Sequence, residues 1–409
     1  MRPSAALLAL ALVVGACGDD SSTTTATTAA PATTAAAPES AEFTGIERNT
    51  TPMDAELAAA IDQSFNEVLA DHPDDLTGIW IGVWNAETGE HIAAYGNAEK
   101  GGADATVDDH SRIASNTKTF TATCALQLVE AGALALSDTI ADVLPDLAAS
   151  YPDVADITVE QLLGMTSGIP DYANTGLVLG DVVADPAHVW TADEIIDGVL
   201  TSLPLEPAGT IGYSTTNYLI LGEMLEKIEG VPIDVILTSV ATAAGLSETA
   251  LTPGSDNSMP DPHSHGYLDQ PGVDQLEDLG VEGVAPQDVT DWSVSWGGAG
   301  GAMYSTIADL GAWTAGGMGT SFLTRDMAAR RLASTPSPGQ DTGGYGLGIE
   351  DFGHGWIGHG GQIFGWTSLA MYDTDTGDTL VVITNSTGSF DATGAPVAQI
   401  FPELVQVFG

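Results

Sequence analysis

The fold of this chain is constrained most by its strand-like segments. They lie near both ends of the globular part, and a long helical middle separates them. Residues 78–84 and 91–95 are rich in β-forming side chains around a turn, and residues 365–372 and 379–384 repeat the pattern. Each pair predicts a β-hairpin. One antiparallel sheet that holds both hairpins, with the helical middle as a second lobe, is the economical solution. We expect an α/β (α+β) fold, an antiparallel sheet flanked by helices plus a mainly helical lobe, with a site in the cleft between lobes.

Apolar spacing and capping residues locate the helices more closely. They predict helices at residues 54–71, after Thr158, after Thr191, and at residues 217–229 before Gly230. Residues 252–300, rich in Asp, Gly and Pro, predict long loops, and residues 394–407 predict a final helix. We expect the sheet lobe to comprise residues 51–114 and 301–409, and the helical lobe residues 115–300.

The N-terminus has the pattern of a targeting segment rather than of a folded element. Arg2 precedes a short apolar run, and the residues from Val14 to Cys17 resemble a bacterial lipobox. That resemblance implies a signal peptide over residues 1–16, cleavage before Cys17 and lipidation of its sulfur. An ordinary secretory peptide that ends near Ala16 is the alternative.

A low-complexity stretch follows the targeting segment. Residues 17–50 are rich in Thr, Ala and Ser and lack apolar periodicity over most of their length, which predicts a flexible tether. The tether is long enough to hold a single domain, residues 51–409, away from a membrane. We therefore expect an exported protein, lipid-anchored to the outer face of the bacterial cell membrane, or secreted.

The charge balance excludes two classes of partner. The chain has 56 acidic and 9 basic residues, a formal net charge of −47. Nucleic acids and anionic lipid surfaces are both bound through basic faces, so we expect neither partner, and membrane contact only through the lipid on Cys17. The acidity fits either an ordinary solvated surface or adaptation to saline surroundings.

Cysteine and histidine give no sign of a metal site. Cys17 and Cys124 are the only cysteines, so lipidation of the first leaves the second unpaired and suited to packing. His263 and His265 could form a metal pair, but the pattern suggests no third ligand. We expect no metal and no cofactor.

A serine and a lysine one helical turn apart form the first chemical motif. Ser115 and Lys118 lie three residues apart at the start of an apolar run, and no other lysine has a serine at that spacing. The amine can therefore reach the hydroxyl and activate it as a nucleophile. The pattern is common by chance, and alone it would be an ordinary helix start.

Two later motifs complement the first. Tyr213 precedes a predicted helix, and its phenol could transfer protons if Lys118 lowered its pKa toward neutrality. His359 lies in a glycine-rich segment, residues 358–366, where a strand edge could offer a backbone N–H to an oxyanion.

In this order, the three motifs resemble the family of serine β-lactamases and penicillin-binding proteins. The likeness is greatest to the branch that has Tyr-x-Asn second and His-x-Gly third, which includes class C β-lactamases, secreted D-Ala-D-Ala carboxypeptidases and related esterases. Residues 120–132, 157–172 and 300–310 also resemble hallmark segments of that branch. The resemblance extends over most of residues 75–390 and implies the same sheet-plus-helical-lobe fold.

The resemblance implies a role for each matching residue. Ser115 matches the acylated nucleophile, Lys118 the lysine that activates it, and Tyr213 the tyrosine that serves as base and then as acid. Whether Lys118 or Tyr213 is the base stays open. His359 and Gly361 match the third motif, and the backbone N–H groups of Ser115 and Gln362 match the oxyanion hole.

Two departures bear on the substrate. The second motif has Thr215 where asparagine is usual, and Asn217 matches a different position, so both are tentative substrate-binding residues. The strand before the third motif ends in Glu350 and Asp351, where the carboxypeptidases carry arginines, which counts against recognition of a carboxylate.

We expect a serine hydrolase that resembles the D-alanyl-D-alanine carboxypeptidases and acts on a peptide or small-molecule acyl substrate. An esterase acting on neutral esters is the alternative, followed by a β-lactamase and then by a non-catalytic binding relative. The acyl acceptor and the oligomeric state stay open.

Overall fold

The computed structural model describes residues 49–336 and 343–388. These residues lie in one compact unit that begins at Ser40. The predicted signal peptide, the lipidation of Cys17, nearly all of the tether and the final helix at residues 394–407 lie outside the described residues. Among the helices that the structure describes, none is both long and apolar enough to cross a membrane.

An antiparallel sheet of eight strands forms the centre of the fold, in the order β2-β1-β12-β11-β10-β9-β8-β7. Short pairs β3–β6 and β4–β5 lie outside it. The strands are β1 (Gly78–Asn85), β2 (Gly89–Gly96), β3 (Ser111–Arg112), β4 (Tyr267–Leu268), β5 (Gln287–Asp288), β6 (Tyr304–Ser305), β7 (Thr335–Pro336), β8 (Gly344–Tyr345), β9 (Glu350–Gly353), β10 (Trp356–Ile363), β11 (Trp366–Asp373) and β12 (Thr379–Thr384).

Most of the helices come from the sequence between the two groups of sheet strands. They are α1 (Ala55–Asp71), α2 (Thr117–Glu130), α3 (Ile140–Val143), α4 (Pro145–Ser150), α5 (Val159–Leu163), α6 (Gly176–Ala184), α7 (Ala192–Ser202), α8 (Thr216–Glu229), α9 (Ile233–Ala243), α10 (Gln270–Asp278), α11 (Gly298–Gly301), α12 (Ile307–Ala315) and α13 (Arg325–Leu332). The α/β fold with an antiparallel sheet and a mainly helical part is confirmed. The residue boundaries drawn between the two lobes stay a prediction.

Both predicted hairpins are present, and they adjoin within the sheet. Ile79 pairs with Tyr95 in the first hairpin and with Thr384 of the second. Alternate residues of β1 face opposite sides because side chains alternate along a strand. Ile81 packs in a cluster with Phe65 of α1, whereas Trp80 packs in the main core with Leu310 of α12. The sheet is therefore covered by a helix on each face.

The helix signals that fall within the described residues are confirmed. Thr158 and Thr191 both form capping boxes, at α5 and α7. Helix α8 ends at Gly230, which has a left-handed φ of 72°, a conformation that glycine adopts without steric penalty.

The prediction of long loops over residues 252–300 is wrong in part, because α10 and α11 form there. Asp269 caps α10 by accepting the N–H of Gly272 at 2.9 Å, and Pro271 occupies its first turn, where no helical N–H bond is needed. Val273 and Leu276 are buried at helical spacing. The high content of Asp, Gly and Pro concealed this helix, which forms one wall of the cleft described next.

Candidate active site

A strained turn places Ser115 at the N-terminus of α2. Ala114 is fully buried and has φ of 48°, a left-handed conformation that is unfavourable for a residue with a β-carbon. It begins a 3₁₀ helix, Ala114–Asn116, that leads directly into α2. Ser115 is part-exposed in the cleft while Ala114 and Asn116 on either side are buried.

Lys118 is fully buried one turn along the same helix. Its Nζ atom lies 2.9 Å from Ser115 Oγ and donates to the carbonyl of Gly300 at 2.8 Å. The rings of Tyr213 and Tyr218 flank the amine, with centroids 5.0 and 5.6 Å from Nζ. Burial lowers the pKa of Lys118 to about 7, against the smaller opposing effects of Asp171 and Glu350. The predicted contact between serine and lysine is present, with an amine that is partly neutral near pH 7.

Tyr213 reaches the same point from the segment before α8. It lines the cleft together with Ser115 and keeps 37% of its surface exposed, and its ring centroid lies 5.0 Å from Nζ of Lys118. The phenol group itself is nevertheless surrounded by protein atoms, and this burial, assisted by the negative charge of Glu350, raises its pKa well above the usual value. The lowering of the pKa by Lys118 that the sequence suggested does not occur. The phenol is therefore suited to donate a proton.

Strand β10 brings the third motif beside the nucleophile. Ile363 pairs with Trp366 across a two-residue turn, and from there every second residue of β10 bonds to β11. The N–H groups of Gly360 and Gln362 belong to the other residues, so they point away from β11, toward the opposite edge of β10. The 3₁₀ helix that carries Ser115 packs against this strand. A β-carbon on Gly361 would lie 2.6 Å from the carbonyl oxygen of Ile113 and 3.0 Å from the β-carbon of Ala114. Glycine is thus what permits this close approach.

The side chain of His359 does not face the cleft. It is fully buried, and its Nε2 atom lies 2.9 Å from the hydroxyl of Tyr345. Burial, with Lys118 as a secondary cause, lowers the pKa of His359 to about 3, so the imidazole is neutral. Its ring centroid is 6.1 Å from that of Tyr213, so the imidazole packs near the tyrosine ring.

The two tentative substrate-binding residues of the second motif differ. Thr215 lines the cleft, and its N–H donates to Asp171 Oδ1 at 2.9 Å. Asn217 is fully buried, accepts from Ser167 Oγ at 2.7 Å and donates to the carbonyl of Leu162 at 3.2 Å. Its amide is used within the protein, so the expected contact of Asn217 with a substrate is not what the structure shows.

Three residues that support the site were not singled out from the sequence. Gly300 accepts from Lys118, and Asp171 holds the backbone of Thr215. Met165, with a left-handed φ of 55°, accepts the N–H of Gly212 through its carbonyl at 2.8 Å. Segments 157–172 and 300–310 marked these regions, but nothing in the sequence indicated the contacts.

The cleft has a volume of about 720 Å³ and is apolar and acidic. Leu276, Trp296 and Phe364 contribute apolar surface, and Asp171, Asp278 and Glu350 contribute carboxyl groups. No lysine or arginine is among the described residues that line it.

Other polar groups do not form a metal centre within the described ranges. His263 lies 3.0 Å from Asp261, and His265 lies 2.9 Å from Asp288, so each imidazole has a carboxylate of its own. Cys124 is buried in α2, as predicted.

A sequence model of the family described as Beta-lactamase matches residues 65–400. Penicillin-binding protein 4 of Amycolatopsis lactamdurans is 33% identical over 168 residues, which is 40% of this chain and 42% of that protein. Penicillin-binding protein 4* of Bacillus subtilis is 32% identical over 138 residues, 34% of this chain and 29% of that protein. The matched regions span less than half the length of these relatives.

Solved structures match over more of the chain. A D-stereospecific amidohydrolase from Streptomyces sp. superposes with a TM-score of 0.69 at 25% identity, over 84% of this chain and 98% of that one. D-amino acid amidase from Ochrobactrum anthropi, complexed with L-phenylalanine amide, gives 0.70 at 25% identity, over 87% and 100%. A penicillin-binding protein from Bacillus halodurans, at 23% identity, shares the fold with a TM-score of 0.67 over 83% and 99%.

Proposed function

Because the chain belongs to the beta-lactamase family, we propose that it is a serine hydrolase that forms an acyl-enzyme on Ser115. The observation that carries this proposal is the 2.9 Å contact between Ser115 Oγ and the buried amine of Lys118. A lysine whose pKa lies at about 7 is a competent base at neutral pH, whereas an ordinary lysine is a cation there.

In the acylation step, neutral Lys118 takes the proton of Ser115 as Oγ attacks the carbonyl carbon of the substrate. A carbon–oxygen bond forms, and the carbonyl π electrons move to oxygen. The N–H groups of Ser115 and Gln362 are the donors proposed for this oxyanion, and the N-terminus of α2 adds a favourable dipole. The direction of the two pKa shifts favours Lys118 over Tyr213 as the base.

Tyr213 then donates its proton to the leaving group as the bond to that group breaks, and protonated Lys118 restores the phenol. The acyl group is left on Ser115, and Lys118 is neutral again. In the second half of the cycle the lysine takes a proton from water, whose oxygen attacks the acyl carbon. The acyl carbon–Oγ bond then breaks, Ser115 Oγ takes this proton from Lys118, and the free acid is released, which returns the site to its starting state.

The composition of the cleft favours esters or amides that lack a free carboxylate. Its lining holds Asp171, Asp278 and Glu350 and, among the described residues, no cation that could pair with a carboxylate. Leu276, Trp296 and Phe364 suit an apolar acyl group. We rank this substrate class ahead of the D-Ala-D-Ala carboxypeptidase activity expected from the sequence. Similarity to proteins named penicillin-binding protein keeps that activity as the second candidate, and similarity to those named D-amino acid amidase supports amides.

Labelling with a fluorescent fluorophosphonate tests the nucleophile. Wild-type protein is expected to be labelled and Ser115→Ala is not, whereas Ser202→Ala, at an exposed serine that ends α7, keeps the label. Labelling that survives in Ser115→Ala would exclude Ser115 as the nucleophile.

Hydrolysis of three substrates then ranks the substrate classes. The set is a short-chain p-nitrophenyl ester, a D-amino acid amide and a peptide ending in D-Ala-D-Ala. We expect the ester or the amide to be cleaved faster. A clear preference for the peptide would restore the carboxypeptidase assignment.

A further inference from the structure

We propose that Glu350 determines substrate specificity by binding an ammonium group, so that the enzyme prefers acyl substrates that carry a basic amino group near the scissile bond. This inference rests on the proposed hydrolase function and names a substrate class for the same cleft.

The position of Glu350 places its carboxyl group beside the reacting atoms. It begins β9 and lines the cleft together with Ser115 and Tyr213. Its Oε2 atom accepts the N–H of Gly360 at 3.2 Å. That N–H precedes the N–H of Gln362 by two residues on the same strand edge, a separation of about 7 Å. An amine held by Glu350 would therefore lie only a few bonds from a carbonyl group held at Gln362.

The carboxyl group of Glu350 forms no ion pair with a lysine or arginine among the described residues, although the charge of Lys118 lies near enough to act on it. The nearest basic atom in an ion-pair contact is Nδ1 of His359, at 3.8 Å, and that imidazole is neutral. Lys118 donates to Ser115 and Gly300 instead. A carboxylate has acceptor sites for about four hydrogen bonds, and within the described parts of the chain only the N–H of Gly360 donates to Glu350. The unused sites belong to a side chain that is 25% exposed at the cleft.

The other two carboxyl groups of the cleft do not share this position. Asp171 already accepts from the N–H groups of Thr215 and Ala173 and from the side chain of Asn174. Asp278 is exposed at the end of α10, where solvent weakens any pairing. Glu350 is therefore the group that gains most from a substrate ammonium, because a partly desolvated carboxyl group that lacks an ion pair would acquire a hydrogen-bonded cationic partner.

A matched set of p-nitroanilides tests the proposal. The acyl groups are butanoyl, α-aminobutanoyl, β-aminobutanoyl and succinyl, which present a neutral, two cationic and an anionic substrate of similar size. Glu350→Gln keeps an oxygen that can accept from Gly360 but removes the charge. Glu277→Gln removes one charge from an exposed neighbour on α10 that does not line the cleft.

We expect wild-type protein to show its highest kcat/KM with one of the amino substrates and its lowest with the succinyl compound. Glu350→Gln should lower kcat/KM for that amino substrate by about 10- to 100-fold, the usual range for a lost charged hydrogen bond. The decisive quantity is the ratio of kcat/KM for the amino substrate to kcat/KM for the butanoyl compound, which should fall at least about 10-fold in Glu350→Gln and stay within about twofold of wild type in Glu277→Gln.

Equal losses on neutral and cationic substrates in Glu350→Gln would overturn the proposal, because they would indicate a structural or acid–base role. Equal wild-type kcat/KM for the neutral and amino substrates would also overturn it. Failure of the hydrolase function itself gives a different result, in which none of the substrates is cleaved in a Ser115-dependent way.

Discussion

Lys118 donates to the carbonyl oxygen of Gly300 at 2.8 Å, and this bond fixes its amine beside Ser115. The two residues come from segments 182 positions apart in the sequence. A β-carbon on Gly300 would lie 2.6 Å from a methyl carbon of Thr215, so the short α11 segment can approach the second motif only as glycine. The amine is thus oriented by the fold before any substrate binds, which lowers the cost of reaching the transition state.

Replacement of Lys118 by arginine should abolish most of the activity. Arginine keeps the positive charge but does not lose its proton in proteins, so it cannot act as a base. We expect kcat/KM to fall by about 100- to 10,000-fold on an ester substrate. Lys227→Arg, at an exposed position of α8, is the matched control and should retain wild-type activity. Activity of Lys118→Arg near that of wild type, in protein with a native circular dichroism spectrum, would exclude the lysine as base.

The activity should rise with pH through neutrality. Lys118 accepts a proton only when neutral, and it is neutral above its pKa of about 7. The kcat/KM on a neutral ester should therefore increase between about pH 6 and 8 and then level off. A profile that stays flat over this range, or that rises only near the pKa of an ordinary lysine, would contradict the assignment.

Glu350 also titrates at about pH 7, because burial raises the pKa of its carboxyl group, and the Glu350→Gln variant separates the two groups. The negative charge of Glu350 raises the pKa of Lys118. Its removal should move the rise in activity to lower pH without eliminating it. Loss of the pH dependence in this variant would instead assign the titration to Glu350.

Tyr213→Phe should impair substrates according to their leaving groups. The phenol is protonated and is proposed to protonate the departing atom, which an amine or alkoxide requires and a p-nitrophenolate does not. We expect kcat/KM to fall by about 100-fold or more on an amide or alkyl ester, and much less on a p-nitrophenyl ester. An equal loss of kcat/KM on the amide, the alkyl ester and the p-nitrophenyl ester would show that the hydroxyl acts before the leaving group departs.

Sequence patterns predicted the structural features that depend on residues close together in the chain. Ser115 and Lys118 meet because three residues make one helical turn, and Gly230 ends α8 because it adopts a left-handed conformation. Helix α10 was missed because Pro271 is unfavourable in a helix except in the first turn, which is where it lies.

Contacts between distant segments could not be predicted in this way. The bond from Thr215 to Asp171 joins residues 44 positions apart, and no pattern specifies such a pairing. Asn217 lies near Tyr213 in sequence but points into the helical part, because α8 turns its side chain toward Ser167. The pKa of Tyr213 depends on burial and on Glu350, both of which are set by the tertiary fold.

Gly361→Ala should disturb the site and destabilise the protein. The added methyl group would lie 2.6 Å from both the carbonyl oxygen of Ile113 and Oγ of Ser368, so β10 and the Ser115 turn must separate. We expect a loss of about 1–3 kcal/mol in the free energy of unfolding, with reduced activity. At Gly360 the nearest atom to an added β-carbon is a Glu350 oxygen, 3.9 Å away, so Gly360→Ala should unfold at nearly the wild-type urea concentration. Equal stabilities of the two variants would contradict this account of the strand contact.

His359 should make the protein less stable as the pH falls below the ordinary histidine pKa. An exposed imidazole has a pKa of 6.5, whereas burial lowers the pKa of His359 in the folded protein to about 3. Between these two pKa values the unfolded chain binds a proton that the folded protein does not. The stability contributed by the neutral imidazole is therefore complete above pH 6.5 and is lost progressively as the pH falls toward 3. The free energy of unfolding then changes by up to about 1.4 kcal/mol per pH unit.

The variant His359→Gln has no titrating group at position 359. The difference in unfolding free energy between wild type and this variant should therefore shrink as the pH falls. Urea unfolding of both proteins across this range measures that difference. A constant difference between wild type and His359→Gln would contradict the lowered pKa, because the folded protein would then bind the proton as readily as the unfolded chain does.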